Sequence, residues 1–398
     1  MAKTVVIAGG GASGLMAALA AARKGASVTV LEKENRPGKK ILASGGGRCN
    51  LTNTGDAAGV YGGHDPAFAG RVLSAFSVAD TMAVFRDIGL QLTEHEGWVY
   101  PLSEQSESVL SLLTAACRRF GVKIKTGEDV RQIRKVKGVF IIETASWHYE
   151  AEAVILAGGT SAGAVTSSSD SLIALAASLG HHCYPLKPSL TFLKSDDPLC
   201  RRWGGVRCRG EAALLIDNKE TAQARGQLQL IDGGISGIPV FQISRGAAEA
   251  LEKGSRVRLR LSLLPDTAEE VLAERLALWT AERGIDDESL RLFLDGYFPD
   301  RLSAALRKEL RDRGVSVLRA RELEISGCGS LHQAQVASGG VDTGEIDPVS
   351  CASTRIQGLY ICGEMLDIDG TCGGWNLQFA WSTGTLAGMA AGEYVCSD

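Results

Sequence analysis

The chain has 398 residues, more than one ordinary core holds, so two or three domains are expected. Hydrophobic residues make up 45% and charged residues 22%, which excludes a disordered or fibrous chain. A net charge of −4 excludes a general pull toward nucleic acid or anionic lipid and points to a small-molecule partner.

The ten cysteines form no C-x-x-C pair, and no histidine stands at zinc-site spacing, so no metal site is expected. The N-terminus enters a strand almost at once, without a secretory leader, and no run approaches about eighteen apolar residues. A cytoplasmic location with free thiols and no membrane span is therefore expected.

The first organised unit is TVVIAGGGASGLMAALAAARKGASVTVLEK. Thr4 to Ala8 reads as a buried parallel strand, Leu15 to Ala22 as an Ala-rich helix, and Val28 to Leu31 as a second strand ending at Glu32. Between strand and helix, Gly9, Gly11 and Gly14 form G-x-G-x-x-G. These glycines suit a tight turn, close backbone approach to a pyrophosphate at the helix start, and close helix–strand packing. Glu32 is placed to accept ribose hydroxyls of an adenosine, which NAD and FAD share.

Next comes RPGKKILASGGGRCNLTN, with Lys39, Lys40 and Arg48 around Gly45, Gly46 and Gly47. Such a loop lays unhindered backbone beside a flat ring while its cations neutralise phosphate; the alternative is a solvated surface loop. Val72 to Phe120 reads as helical, interrupted by a hairpin edge at Gly97 to Pro101. Short strands follow at Val122 to Lys125, Val130 to Arg134 and Val139 to Glu143, then a buried one in EAVILAGG, Glu152 to Gly159. Residues 188–262 alternate apolar runs, IPVFQIS among them, with turns and suggest a small β-domain; residues 267–314 are helical.

The chain returns with GLYICGE, a strand feeding CGEMLDIDGTCGGWNLQFAWSTG. Glu364 is placed to accept ribityl hydroxyls, Asp367 and Asp369 add acids, and Gly373-Gly374 open a long helix from about Asn376. The positive end of that helix suits the N1–C2=O edge of a reduced flavin. FAD accounts for both ends of the chain, whereas NAD leaves the second unexplained. No second G-x-G-x-x-G exists, so a dedicated NAD domain is missing.

SGGGRCNLTN, SGGVDTGEIDP and GLYICGEMLDIDGTCGGWNLQFAWSTG together resemble the YhiN/BaiN-like family of FAD-binding oxidoreductases, also described as aminoacetone-oxidase-like flavoproteins. The resemblance covers essentially the whole chain. It implies an α/β fold: a discontinuous Rossmann-type FAD-binding domain, glutathione-reductase-like, with inserted β-barrel-like and small helical domains. The implied boundaries are 1–187 and 321–398 for the FAD domain, 188–262 for the β-barrel-like insert and 263–320 for the helical insert.

The family's cofactor positions map onto Gly9, Gly11, Ala12, Ser13 and Gly14, then Glu32, Lys33 and Lys40. Gly45, Gly46, Gly47, Arg48, Cys49, Asn50 and Asn53 follow in the glycine loop, with Val130 as an adenine contact and Ala157 and Gly158 after the buried strand. Gly363, Glu364, Asp369, Gly374, Trp375, Asn376 and Leu377 complete the set; Trp375 either packs on the flavin or plugs the core. Two segments depart from the family pattern: Ile231 to Ile238, with its proline displaced to Pro239, and Thr166 to Ser171.

The expected reaction is hydride transfer through flavin N5 on a small organic molecule, with NAD(P)H as the electron donor. A flavin-dependent amine-type oxidase using oxygen, a non-catalytic flavin redox sensor and a tRNA-modifying flavoprotein remain alternatives. The last would use the basic group Arg201, Arg202, Arg207 and Arg209. Candidate proton donors are Cys49, Tyr100 and His332, each with a structural reading beside it: a packed thiol, a core ring, a lone structural imidazole. Substrate identity and oligomeric state are open.

Overall fold

The computed structural model describes residues 3–163 and 169–397, which fall into two compact units. One comprises the residues up to Lys187 together with those from Val336 onward; the other is Pro188–Gln335. The departure at Thr166 to Ser171 lies, for residues 166–168, outside the described residues.

The first unit is built on a five-stranded sheet in the order Leu359–Ile361, Ala153–Leu156, Thr4–Ala8, Ser27–Glu32, Lys123–Thr126, all parallel. A parallel sheet covered on both faces requires near-continuous apolar strands. Val5, Ile7, Val154, Ile155 and Ile361 accordingly have no exposed surface. The first and last segments of the chain thus enter one sheet, with Ala153–Leu156 between their strands.

The first helix, Ala12–Arg23, packs against the terminal helix, Trp375–Cys396. Gly384 and Gly388 set how close they come. A β-carbon on Gly384 would stand 2.3 Å from Ser13 O, and one on Gly388 2.2 Å from Ala17 O. The four-residue spacing puts both glycines on one helical face, so backbone meets backbone. Helices Ala67–Ala75 and Val78–Asp87 add further cover, the second opened by a Ser77/Asp80 capping box. Strands Leu92–His95 and Trp98–Pro101 form the hairpin, and Thr52–Asn53 pairs with its second arm.

In the second unit, seven strands run in the order Arg321–Glu324, Val257–Ser262, Arg207–Ile216, Lys219–Ile231, Gly234–Gly237, Leu193–Lys194, Gly327–Cys328. The two edge strands are consecutive in the chain, separated by Ile325 and Ser326. Ile325 N–H reaches Val257 O, and Ser326 N–H reaches Lys194 O, on opposite edges. The sheet therefore curls until its edges meet, a barrel-like closure that leaves little free edge.

Three differences from the sequence reading have physical causes. Ile238 to Ser244 is the start of a helix, Ile238–Glu252, and not a β-run. Pro239 occupies the first turn, where its missing N–H costs nothing, and Pro239, Val240, Ile243, Ala247 and Ala250 bury one helical stripe. Helices Glu269–Arg283, Asp287–Asp295 and Asp300–Arg313 share one hydrophobic core with the seven-stranded sheet, Leu290, Leu302 and Leu306 packing in the cluster that holds Leu214 and Leu259. The chain re-enters the first unit at Val336, later than position 321, because Arg321–Glu324 pairs with Val257–Ser262. Among the described residues no single helix is long and apolar enough to cross a membrane.

Candidate functional site

The glycine turn is shaped by what lies behind it. A β-carbon on Gly9 would stand 2.4 Å from Ala157 O, and one on Gly14 2.0 Å from Gly9 O, so strand end, helix start and neighbouring strand end close on one another. Gly11, by contrast, faces open space. It also serves as the N-cap of the first helix with no side-chain cap, and no acid stands in the first turn. The N–H groups at the start of that helix thus stay available to an external anion, which the helix dipole favours.

Glu32 ends the second strand, almost fully buried. Its Oε2 accepts from Gly10 N–H at 2.8 Å and its Oε1 from Glu34 N–H at 2.9 Å. Each carboxylate oxygen has a further acceptor site, so the acid can shape the turn and still take a hydroxyl. Lys33 follows it, half-buried, and the loop after it folds back: Gly38 N–H donates to Gly10 O, and Lys39 pairs with Glu34 at 2.7 Å.

The glycine loop and the tail are joined side chain by side chain. Lys40 Nζ donates to Glu364 Oε2 and to Thr160 O, each at 2.9 Å. Asn53 Nδ2 donates to Gly373 O at 2.8 Å, and Trp381 Nε1 to Leu51 O at 2.9 Å. Thr52 Oγ1 meets Gln378 Oε1 at 2.5 Å. With both ends of its amide satisfied, Asn50 faces the Val99 and Thr52 carbonyls with nitrogen and Gly374 N–H with oxygen. The terminal helix opens after Gly374 with no capping side chain and no acid in its first turn, a second bare helix start. Gly363 N–H donates to Thr383 Oγ1, and a β-carbon there would stand 2.4 Å from Ser13 Oγ, so the start of the first helix meets Gly363 and the body of the terminal helix.

Other expected positions divide between open backbone and packing. Gly46 and Gly47 meet nothing within contact range, and Arg48 is exposed beside them. Gly158 is exposed just after buried Ala157, and Val130 is buried. Asn376 spends both ends of its amide on Gly370, accepting from its N–H at 2.8 Å and donating to its O at 2.7 Å. Trp375 is buried in a cluster with Tyr61, ring centroids 6.0 Å apart and edge-on, while Leu377 is half-buried. Asp369 is buried in the two-residue strand that pairs with Tyr61–Gly62.

The three expected proton donors do not gather. Cys49 has no exposed surface, adopts φ 59°, and burial pushes its thiol up to about 11, so it is a protonated packing residue. Tyr100 is half-buried with the Arg48 guanidinium 5.2 Å over its ring; burial raises its hydroxyl pKa and Arg48 partly opposes the rise. His332 is exposed in a short turn of the second unit, Leu331–Gln333. The structure shows instead an imidazole the sequence reading missed, His64, bonded to buried Asp367 across 303 positions. Their separation left no local signal, although Asp367 had been noticed. Among the described residues no group of three or more His, Cys, Asp or Glu side chains is placed to hold a metal ion.

Two bare helix starts, on helices that pack against each other, and a five-stranded parallel sheet with an acid ending the strand Ser27–Glu32 fit a flavin dinucleotide and define an FAD-dependent oxidoreductase. The chain belongs to the family described as HI0933-like protein Rossmann domain, whose model matches residues 3–390. It is 40% identical over 97% of its length to 3-dehydro-bile acid delta(4,6)-reductase of Clostridium scindens, covering 98% of that protein. It is 27% identical over 95% of its length to ribosomal RNA dihydrouridine synthase of Haemophilus influenzae, covering 96% of that protein. Among solved structures, 3-ketosteroid-delta4-(5alpha)-dehydrogenase of Rhodococcus jostii matches with TM-score 0.51 at 15% identity, over 98% of this chain and 96% of that one. At that identity the likeness speaks for the fold.

Proposed function

We propose that this protein is an FAD-dependent reductase that saturates a carbon–carbon double bond conjugated to a carbonyl in a steroid-like small molecule. The observation that carries this reading is the 40% identity, spread over nearly the whole chain, to a 3-dehydro-bile acid delta(4,6)-reductase. A 3-oxo group conjugated with ring double bonds withdraws electrons from the remote carbon and makes it a hydride acceptor. Hydrogen addition in the named relatives favours this reading over an amine-type oxidase.

The residues have separable tasks. Ala12, Ser13 and Gly14 would offer N–H donors to the diphosphate, Glu32 would take ribose hydroxyls beside Lys33, and Val130 would contact the adenine. Ala157 and Gly158 would border the diphosphate, and Lys40 and Glu364, which hold the glycine loop to the tail, would serve the ribityl chain. Gly45 to Asn53 would border the ring, and Gly363, Asp369 and Gly374 to Leu377 would serve its carbonyl edge, where the helix start would steady negative charge. Bound FAD supplies the centre that accepts and delivers a hydride. NAD(P)H is the donor, docking transiently, as the chain carries one G-x-G-x-x-G.

The test is anaerobic. NADH or NADPH is expected to bleach the flavin, and a 3-oxo-delta(4,6) steroid to restore the yellow form with loss of the dienone absorbance. Flavin that is bleached by an amine and reoxidised by oxygen alone would favour the oxidase.

A second reading has its own support. Forming dihydrouridine also adds two hydrogens to a double bond conjugated with a carbonyl, so the same site chemistry serves a uracil. The 27% identity to an RNA-acting synthase accompanies Arg201, Arg207 and Arg209, which are exposed and whose guanidinium groups have no ion-pair or hydrogen-bond partner among the described residues; Arg202 pairs with Glu309. Dihydrouridine formed in a ribosomal RNA fragment by the reduced protein would establish that reading.

A further inference from the structure

His64 fits no structural task that an exposed surface imidazole normally has. Its side chain is 60% exposed, while Asp367, its partner, is 2% exposed. Asp367 Oδ1 accepts from Gly339 N–H at 3.0 Å, and Oδ2 takes both His64 N–H at 2.9 Å and His64 Nδ1 at 2.6 Å. His64 thus sets its imidazole against a carboxylate that is almost wholly out of solvent. A carboxylate accepts and does not donate, so Nδ1 carries a hydrogen and Nε2 is turned away from it.

The ring is also fixed in orientation. It stacks on Tyr184 with centroids 3.6 Å apart and planes 10° from parallel. Tyr184 is held in turn, its hydroxyl 3.5 Å from Asp342 Oδ2 and its ring edge-on to His182. A backbone bond, a carboxylate and a stacked ring together give one imidazole one direction, a degree of restraint that water-facing histidines lack.

Its place in the fold is beside the tail. Tyr61–Gly62, just before His64, pairs with Asp369–Gly370, and Tyr61 Oη donates to Trp375 O at 2.9 Å, at the bare start of the terminal helix. Asp367 lies between Glu364, tied to the glycine loop, and that helix start.

We propose that His64 is the proton donor of the reduction, with Asp367 and Tyr184 as its positioning residues; this rests on the enone-reductase reading above. A hydride, with its electron pair, comes from a two-electron donor of the reduced-flavin class and bonds to the remote carbon. The π pair moves toward the carbonyl, and the carbon next to the carbonyl takes a proton from His64 Nε2. His64 is left neutral and regains its proton from water. One hydride and one proton account for the two hydrogens added.

The experiment pre-reduces protein-bound FAD with dithionite and mixes it anaerobically with a 3-oxo-delta(4,6) steroid. His64→Gln is expected to keep wild-type FAD content and to slow flavin reoxidation by roughly 100-fold or more, the usual contribution of a positioned general acid. A second readout needs no turnover: in 15N-histidine-labelled protein, His64 should show the Nδ1-protonated tautomer when neutral, lost in Asp367→Asn. Reoxidation of H64Q within about threefold of wild type, or an Nε2-protonated neutral ring, overturns the assignment of His64 alone. Wild-type flavin that no enone reoxidises overturns the substrate reading and this assignment together.

Discussion

Lys40 Nζ and Glu364 Oε2 lie 2.9 Å apart across 324 positions of sequence, and Glu364 Oε1 also accepts from Ala337 N–H. The glycine loop and the tail are therefore one structure before any cofactor is considered. Both side chains are partly shielded, so the pair is stronger than a surface bridge. Glu364→Ala should lower the stability of FAD-free protein, read from urea denaturation, by about 1–3 kcal/mol, because Ala337 N–H loses its acceptor and the Lys40 ammonium keeps only Thr160 O. An unchanged midpoint would mean that Lys40 finds another acceptor as good.

Glu32→Ala separates two tasks that coincide in one carboxylate. The variant loses any ribose hydrogen bonds and leaves Gly10 and Glu34 N–H without their acceptor. FAD affinity should fall by about 1.5–3 kcal/mol, read as flavin lost on gel filtration and a raised Kd in fluorescence titration. Equal affinity in the variant would remove Glu32 from the adenosine end.

Gly384→Ala and Gly70→Ala make a matched pair. Alanine is the better helix former by up to about 1 kcal/mol. At Gly70, in Ala67–Ala75, the new methyl meets nothing, and stability should rise. At Gly384 it would strike Ser13 O, a backbone atom that cannot swing aside, and the cost of about 1–3 kcal/mol should exceed the propensity gain. Denaturation midpoints moving in opposite directions are the expected result.

These contacts explain which parts of the molecule were readable in advance. The glycine turn and Glu32 were legible because phosphate approach imposes a local pattern, and the tail because two glycines, acids and a long helix stand together. The Gly384, Gly388, Gly392 spacing was visible but unassigned, since its partner face on Ala12–Arg23 is some 370 positions away. His64 and Asp367 left no trace as a pair, for the same reason. Ile238 to Ser244 misled because a short apolar run does not declare its period; the alanines that follow extend it as a helix.

The buried His181 network should make the first unit sensitive to acid. His181 Nδ1 contacts Glu345 Oε2 at 2.9 Å and its Nε2 contacts Ser353 Oγ at 2.9 Å, while Arg355 also pairs with Glu345. Burial lowers the His181 pKa below the ordinary value of 6.5, and Glu345 opposes that incompletely. For Glu345, burial raises the pKa, but Arg355, the His182 N–H and His181 outweigh it and leave the carboxyl below 4.5. Both groups bind protons more readily in the unfolded chain, so each contributes stability that is complete above its unfolded value and lost as pH falls through its folded one. Losses should begin near pH 6.5 from His181 and near pH 4.5 from Glu345. His181→Gln should be less stable than wild type at pH 7.5, yet its urea midpoint should fall less between about pH 7.5 and 5.5, because the group that titrates there is gone. Parallel curves for the two proteins would assign the acid sensitivity elsewhere.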